Sequence, residues 1–168
     1  MQSTMVRIKL VIFFISIITV VSCKQNRNEL EQVKKINNIC YTLRYISKEE
    51  NKNGVIEPAD LFYYKLTISE EEKTTHKISE LYLQTNYNRL LYYINSNIKN
   101  DFKIIKNEKE NYPVQVYFES NNRISNKLIF MIAFEKPIEH EGDFIVEFND
   151  NIFNNGKIKF KYNIEELI

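Results

Sequence analysis

The chain has no tryptophan, and its 168 residues include only three glycines, three prolines, two cysteines and two histidines. Each shortage removes a class of chemistry. With Gly54, Gly142 and Gly156 so far apart, neither a glycine-rich phosphate loop nor a Gly-x-Ser-x-Gly nucleophile elbow can be built. Two cysteines, Cys23 and Cys40, do not make a disulfide framework. The histidines, His76 and His140, lack any His-x-x-x-His or Cys-x-x-Cys spacing, so no zinc site is expected, and both read as solvated loop residues. Neither sign of charge dominates: 23 basic residues face 22 acidic ones. Such a balance gives no global attraction to nucleic acid or to anionic lipid. Alanine is scarce too, at Ala59 and Ala133 alone, whereas tyrosine and phenylalanine number 11 each. That composition favours sheet over helix.

One long apolar run is present, and it lies at the start. Arg7 and Lys9 precede it with no acidic residue before them, Leu10 to Val21 is almost wholly apolar, and Val20-Val21-Ser22-Cys23 closes it. As a helix the 12-residue run is about 18 Å long. A bilayer core of ~30 Å needs about 20 residues, so the run is too short for a permanent span and suits a signal-peptide core. The segment resembles a bacterial lipoprotein signal peptide, of Bacteroidetes-like type, with Val20 to Cys23 as the lipobox. The resemblance implies cleavage before Cys23, acylation of its thiol and attachment to a membrane outside the cytoplasm. Each buried methylene of an acyl chain contributes about 0.8 kcal/mol, so several chains, palmitate among them, hold firmly.

Removing 22 of the 168 residues leaves 146, the size of one domain with its own core. The expected division is a signal peptide over 1–22, a lipidated tether over 23–38 and a sandwich domain over 39–168. Lys24 to Asn38 is polar, as a solvated linker is. From Ile39 the apolar residues recur at period two, the mark of half-buried strands. Ile39, Tyr41, Leu43 and Tyr45 share one face, and so do Phe62, Tyr64, Leu66 and Ile68. Val114 to Phe118 and Phe144 to Phe148 also alternate, and Leu128 to Phe134 is apolar on both faces, as in a central strand covered on two sides. In the last strand Ile158, Phe160 and Tyr162 alternate with Lys157, Lys159 and Lys161. Asn155-Gly156 before it reads as a two-residue type I′ hairpin turn. Tyr87, Leu90, Leu91, Ile94 and Ile98 are ambiguous: the tyrosine-rich run reads first as a strand, and a helix from about Tyr87 to Ile98 is the alternative.

The fold expected is an all-β, immunoglobulin-like β-sandwich. Asp101 to Ile105, Tyr112-Pro113, the Leu128-to-Phe134 strand, Gly142-Asp143-Phe144 and the Lys157-to-Tyr162 strand resemble small extracytoplasmic lipoproteins with such a sandwich. This resemblance implies a binding or scaffolding module and carries no functional residues across.

Few side chains suggest chemistry. Cys40 alternates with apolar residues and reads as a small buried hydrophobe. Glu70-Glu71-Glu72 and Glu139-His140-Glu141 read as solvated charge runs rather than a catalytic carboxylate pair. Asn149-Asp150-Asn151 with Asn154-Asn155 offers oxygen donors of the kind calcium prefers, yet only Asp150 is charged, and turn formation is the simpler reading. Lys157, Lys159 and Lys161 form a row that either guards an edge strand or docks an acidic partner. Exposed tyrosines suit protein or sugar faces. Together these point to a protein without enzymatic activity, metal or cofactor and without a nucleic-acid partner. It is expected to be held through acylated Cys23 on the periplasmic face of the outer membrane as an accessory or scaffold subunit of an envelope complex. Three alternatives are an immunity-type lipoprotein against an envelope-targeting toxin, a glycan or small-solute binder, and a type VI secretion-associated lipoprotein, the last by analogy of fold alone.

Overall fold

The computed structural model describes residues 30–46, 61–70, 77–81, 83–119, 127–136 and 141–167. Within them nine strands run in order: β1 (Glu31–Ile36), β2 (Ile39–Ile46), β3 (Leu61–Glu70), β4 (Phe102–Lys106), β5 (Lys109–Asn111), β6 (Gln115–Phe118), β7 (Lys127–Glu135), β8 (Asp143–Asp150) and β9 (Gly156–Asn163). Two helices, α1 (Lys77–Leu81) and α2 (Gln84–Ser96), lie between β3 and β4. A five-stranded sheet has the order β1-β2-β3-β7-β6 and a four-stranded sheet the order β5-β4-β8-β9, with every pairing antiparallel. Counted from β2, this is the A-B-E-D sheet facing a C′-C-F-G sheet of an immunoglobulin-like sandwich, with β1 added outside strand A. The expected fold class therefore holds.

The period-two strands place their apolar residues as the alternation requires. Ile39, Tyr41, Leu43 and Tyr45 of β2, Phe62, Tyr64, Leu66 and Ile68 of β3, and Ile158, Phe160 and Tyr162 of β9 are all buried. An antibody domain crosses its sheets with a disulfide beside a tryptophan. Here rings fill that space. Phe62 on β3 stacks on Phe144 of β8 at 6.3 Å, and Tyr64 meets Tyr162 of β9 at 5.4 Å. Phe102, from the strand that carries the tryptophan in antibody domains, lies 4.6 Å from Phe148 and 6.2 Å from Phe130 of the opposite sheet. Each such ring contributes roughly 1.5–3 kcal/mol by burial.

Several expectations need correction. Glu31–Ile36 is an edge strand, not tether, so the sandwich begins ahead of Ile39. The Asn37-Asn38 turn that joins it to β2 has φ of 49° and 66°, the left-handed pair a two-residue type I′ loop needs. The turn before β9 is longer than expected: Asp150 pairs with Gly156, leaving a five-residue loop, Asn151 to Asn155. The Asp150 Oδ1 accepts the N–H groups of Ile152 and Phe153, both at 3.0 Å, which starts the turn early. β7 is buried on its inner face, but Ile129 and Met131 on the outer face are only half-buried.

The ambiguous stretch is a helix. Tyr87, Leu90, Ile94 and Ile98 are buried, which is the i, i+3, i+7, i+11 row. In a strand Leu90, Tyr92 and Ile94 would share a face, yet Tyr92 is 73% exposed between two buried neighbours.

Tyrosine hydroxyls among these rings reach across the sandwich. That of Tyr162 donates to the Leu43 carbonyl at 2.9 Å, and that of Tyr41 donates to Asp150 at 2.5 Å. The Tyr64 hydroxyl is fully buried and has no hydrogen-bond partner among the described residues. An unsatisfied buried hydroxyl costs about 1–3 kcal/mol, whereas a satisfied one contributes about 1 kcal/mol. Tyr64→Phe is therefore expected to raise the unfolding free energy by about 1 kcal/mol, and Tyr162→Phe to lower it by a similar amount. Urea unfolding of both variants checks the pair; a fall for Tyr64→Phe would show that this hydroxyl is satisfied.

Candidate functional site

The lysine row is placed as its alternation requires. Lys157, Lys159 and Lys161 stand on the outer face of β9, with side chains 58–69% exposed. Their charges are largely matched. Glu147, on the neighbouring strand β8, is only 3% exposed and lies 3.6 Å from Lys159, 3.8 Å from Lys157 and 3.4 Å from Lys103. Lys103 also contacts Glu110 at 2.5 Å; this contact holds the Glu110 carboxyl below its ordinary range and the Lys103 ammonium above its own. Lys161 pairs with Asp143 at 2.5 Å, and this bond, with a second from Asn163, lowers the Asp143 carboxyl. The exposed Lys161–Asp143 pair contributes little to stability, whereas the pairs to Glu147 end on a nearly buried carboxylate that is costly to leave unmatched. Their consequence is electrostatic: this face presents a mosaic rather than a strip of free cations.

A second cluster forms where the β8–β9 loop meets the entry to β4. Asp101 ends the 3-10 turn Ile98–Asp101, and its Oδ1 accepts from Asn151 at 2.7 Å. The Tyr93 hydroxyl of α2 donates to its other oxygen. Next to it the buried Asp150 accepts from Tyr41, whose hydroxyl in turn accepts from Asn155 at 2.6 Å. Burial and the Asp150 hydrogen bond hold the Tyr41 phenol far above its ordinary pKa. The Asp150 oxygens thus serve the chain itself, as the turn reading expects, and Asn151 takes part through its amide nitrogen. Among the described residues no three His, Cys, Asp or Glu side chains gather as a metal site. Nothing in the sequence marked Asp101, because its partners come from α2 and from a loop fifty residues away.

A third feature is a groove of about 480 Å³ between α2 and β6. Leu91, Ile94 and Ile98 line one wall and Val116 and Phe118 the other, and Lys99 at one margin donates to the Val114 carbonyl at 3.0 Å. Of the lining residues, Val114 and Tyr117 are 41% and 54% exposed, and Tyr112, two residues before Val114, is 52% exposed.

The remaining candidates are scattered. Cys40 is free, half-buried and on the outer face of its sheet, 3.9 Å from the Thr42 hydroxyl, rather than inside the core. Of the paired tyrosines, Tyr64 is core and Tyr93 binds Asp101, while Tyr92 faces solvent. Cys23, His76, His140, Glu71, Glu72 and Glu139 lie outside the described residues.

Burial, followed by the charge of Asp150, raises the Asp101 carboxyl to about 6. The folded state then holds a proton that the unfolded chain, with an ordinary carboxyl, has released. Stability from this group is full at low pH and is lost as pH rises through about 6. The carboxyls lowered by Lys103 and Lys161 act only below the ordinary carboxylate range, outside this window. The urea midpoint should fall between pH 5 and pH 7.5. Asp101→Asn should lose that slope, and an equal slope in both proteins would contradict it.

No protein-family model and no curated protein matches the chain. A crystal structure of a DUF4426 family protein from Pseudomonas aeruginosa is similar at 8% identity and a TM-score of 0.40, over 81% of this chain and 94% of that one.

Proposed function

We propose that this protein is a membrane-anchored lipoprotein of the cell envelope, attached through Cys23 to the periplasmic face of the outer membrane, where it acts as a non-catalytic accessory or scaffold subunit. The observation that carries the reading is the leader: Arg7 and Lys9, the apolar run Leu10 to Val21, and Cys23 directly after Ser22. The fold is compatible with it. Leu30, whose carbonyl accepts from the Tyr45 N–H, lies seven residues beyond Cys23, a reach of at most about 24 Å. Gln32 of β1 bonds both the N–H and the carbonyl of Lys161, so the first described strand is fastened to both sheets close to that point.

This geometry gives the domain two unlike ends. Leu30 lies at the end of the sandwich that carries Asp143 and Asn163. The Asn37-Asn38 turn, the Asn151–Asn155 loop and the Asp101 cluster lie at the other, where Asn37 bonds Asn155 at 2.8 Å. An anchor at Cys23 turns the first end toward the lipid and leaves the second for a partner.

In-cell crosslinking followed by mass spectrometry, on wild type beside Cys23→Ala, tests the proposal. Wild type should partition with membranes and capture envelope proteins, and Cys23→Ala should lose both. Equal partitioning of the two would sink the anchor. Capture of a single small soluble partner by both forms would favour toxin neutralisation instead.

A further inference from the structure

Sheet edges offer unpaired backbone groups, and proteins guard them with charge. Three of the four edges among the described residues are guarded. β1 carries Glu31, Lys34 and Lys35, β5 carries Lys109 and Glu110, and β9 carries its three lysines. The fourth edge, β6, reads Gln115-Val116-Tyr117-Phe118, without a charge. Among the described residues this edge is short, about 13 Å, and α2 runs beside it without a charged strand residue to guard it.

The register shows which groups stand open. Gln115 and Tyr117 oppose Ala133 and Met131, and in the same register the Glu119 N–H donates to the Ile129 carbonyl at 2.9 Å. Antiparallel pairing alternates, so the N–H and C=O groups of Val116 and Phe118 point away from β7. Beside them runs the groove against α2, whose volume of about 480 Å³ falls within the usual range for binding clefts. A helix set alongside an open strand edge is the arrangement in which extended peptides bind by strand addition. Apolar exposure gathers at this edge: Tyr112, Val114 and Tyr117 are three of the six exposed large hydrophobic residues described. The lining includes one cation, Lys99, and no acid.

We propose that β6 captures an extended segment of a partner protein as a sixth strand of the five-stranded sheet, with alternate apolar side chains of that segment entering the groove against α2 and a carboxylate meeting Lys99. Charge complementarity at Lys99 and the open backbone groups of Val116 and Phe118 choose this occupant. A second copy of the chain would have to seat its own β6 in the same groove with its own α2 beside it, and the four-residue edge contributes little of the ~800 Å² per partner that a stable dimer needs. The inference deepens the scaffold reading by naming how a partner is held, yet strand capture itself does not require the anchor.

A random peptide library displayed on phage and selected against the full chain in detergent tests it. Enriched peptides should show apolar residues at alternate positions with an Asp, a Glu or a free C-terminus at a constant offset. In fluorescence anisotropy their affinity should fall about tenfold or more, close to 1.4 kcal/mol, in Val116→Pro, which removes an outward N–H. Should Val116→Pro not fold, Lys99→Glu, a change at an exposed side chain, decides: selection on it should yield basic residues where wild type yields acids. Absence of enrichment over a detergent blank, or peptides that bind both variants like wild type, would overturn the proposal. Cys23→Ala should keep the binding. Loss of membrane partitioning with peptide capture retained would therefore separate the anchor from the docking edge.

Discussion

Everything in this domain depends on aromatic rings that fill the space between two sheets. The described residues hold no disulfide and the chain has no tryptophan to bridge them, so Phe62 against Phe144, Tyr64 against Tyr162, and Phe102 between Phe148 and Phe130 take that place. Rings bury large areas, and tilted or offset pairs add a little more, but they set no unique register by themselves. Polar tips supply that. Tyr162 bonds the Leu43 carbonyl and Tyr41 bonds Asp150, each from one sheet to the other, so sliding either sheet would strand a buried hydroxyl. Tyr64 carries the cost of the same strategy without its gain.

Strand β8 is where the layers communicate. Its inner residues, Phe144, Val146 and Phe148, enter the ring stack. On its outer face Glu147 collects Lys103, Lys157 and Lys159. Its last residue, Asp150, shapes the following loop and holds Tyr41. Charge on this sheet is matched locally, whereas among the described edges β6 of the other sheet is the one without a charged residue. The two sheets thus divide their work: one face is closed by ion pairs, and one edge stays open beside a helix.

Legibility followed the length of a pattern. The eight-residue strands β2 and β9 and the ten-residue β3 alternate long enough for the period to stand out, and their inward faces are as read. β1 was not legible, because a six-residue edge strand with both faces wet has Val33 and Ile36 as its only apolar residues. α2 was legible only as a conflict, since the Leu90-to-Ile94 run satisfies both periods. The Lys157, Lys159 and Lys161 row was legible as exposed, but its neutralisation was not, for Glu147 lies ten residues upstream of Lys157 and reads as one more polar alternation. Asp101 left no local trace at all.

The sequence by itself determined the class of fold and the inward face of each long strand, because those follow from alternation between neighbours along the chain. The proposed leader with its terminal Cys23 rests on the order of residues alone. Tertiary structure decided that the 84–96 segment is a helix, because the core takes Leu90 and Ile94 on one side and leaves Tyr92 to solvent, a pattern only the helical period satisfies. It decided too which carboxylates are matched and which edge lies open. Those are properties of residues far apart in sequence, and burial and charge are set by whatever the fold brings within a few ångströms.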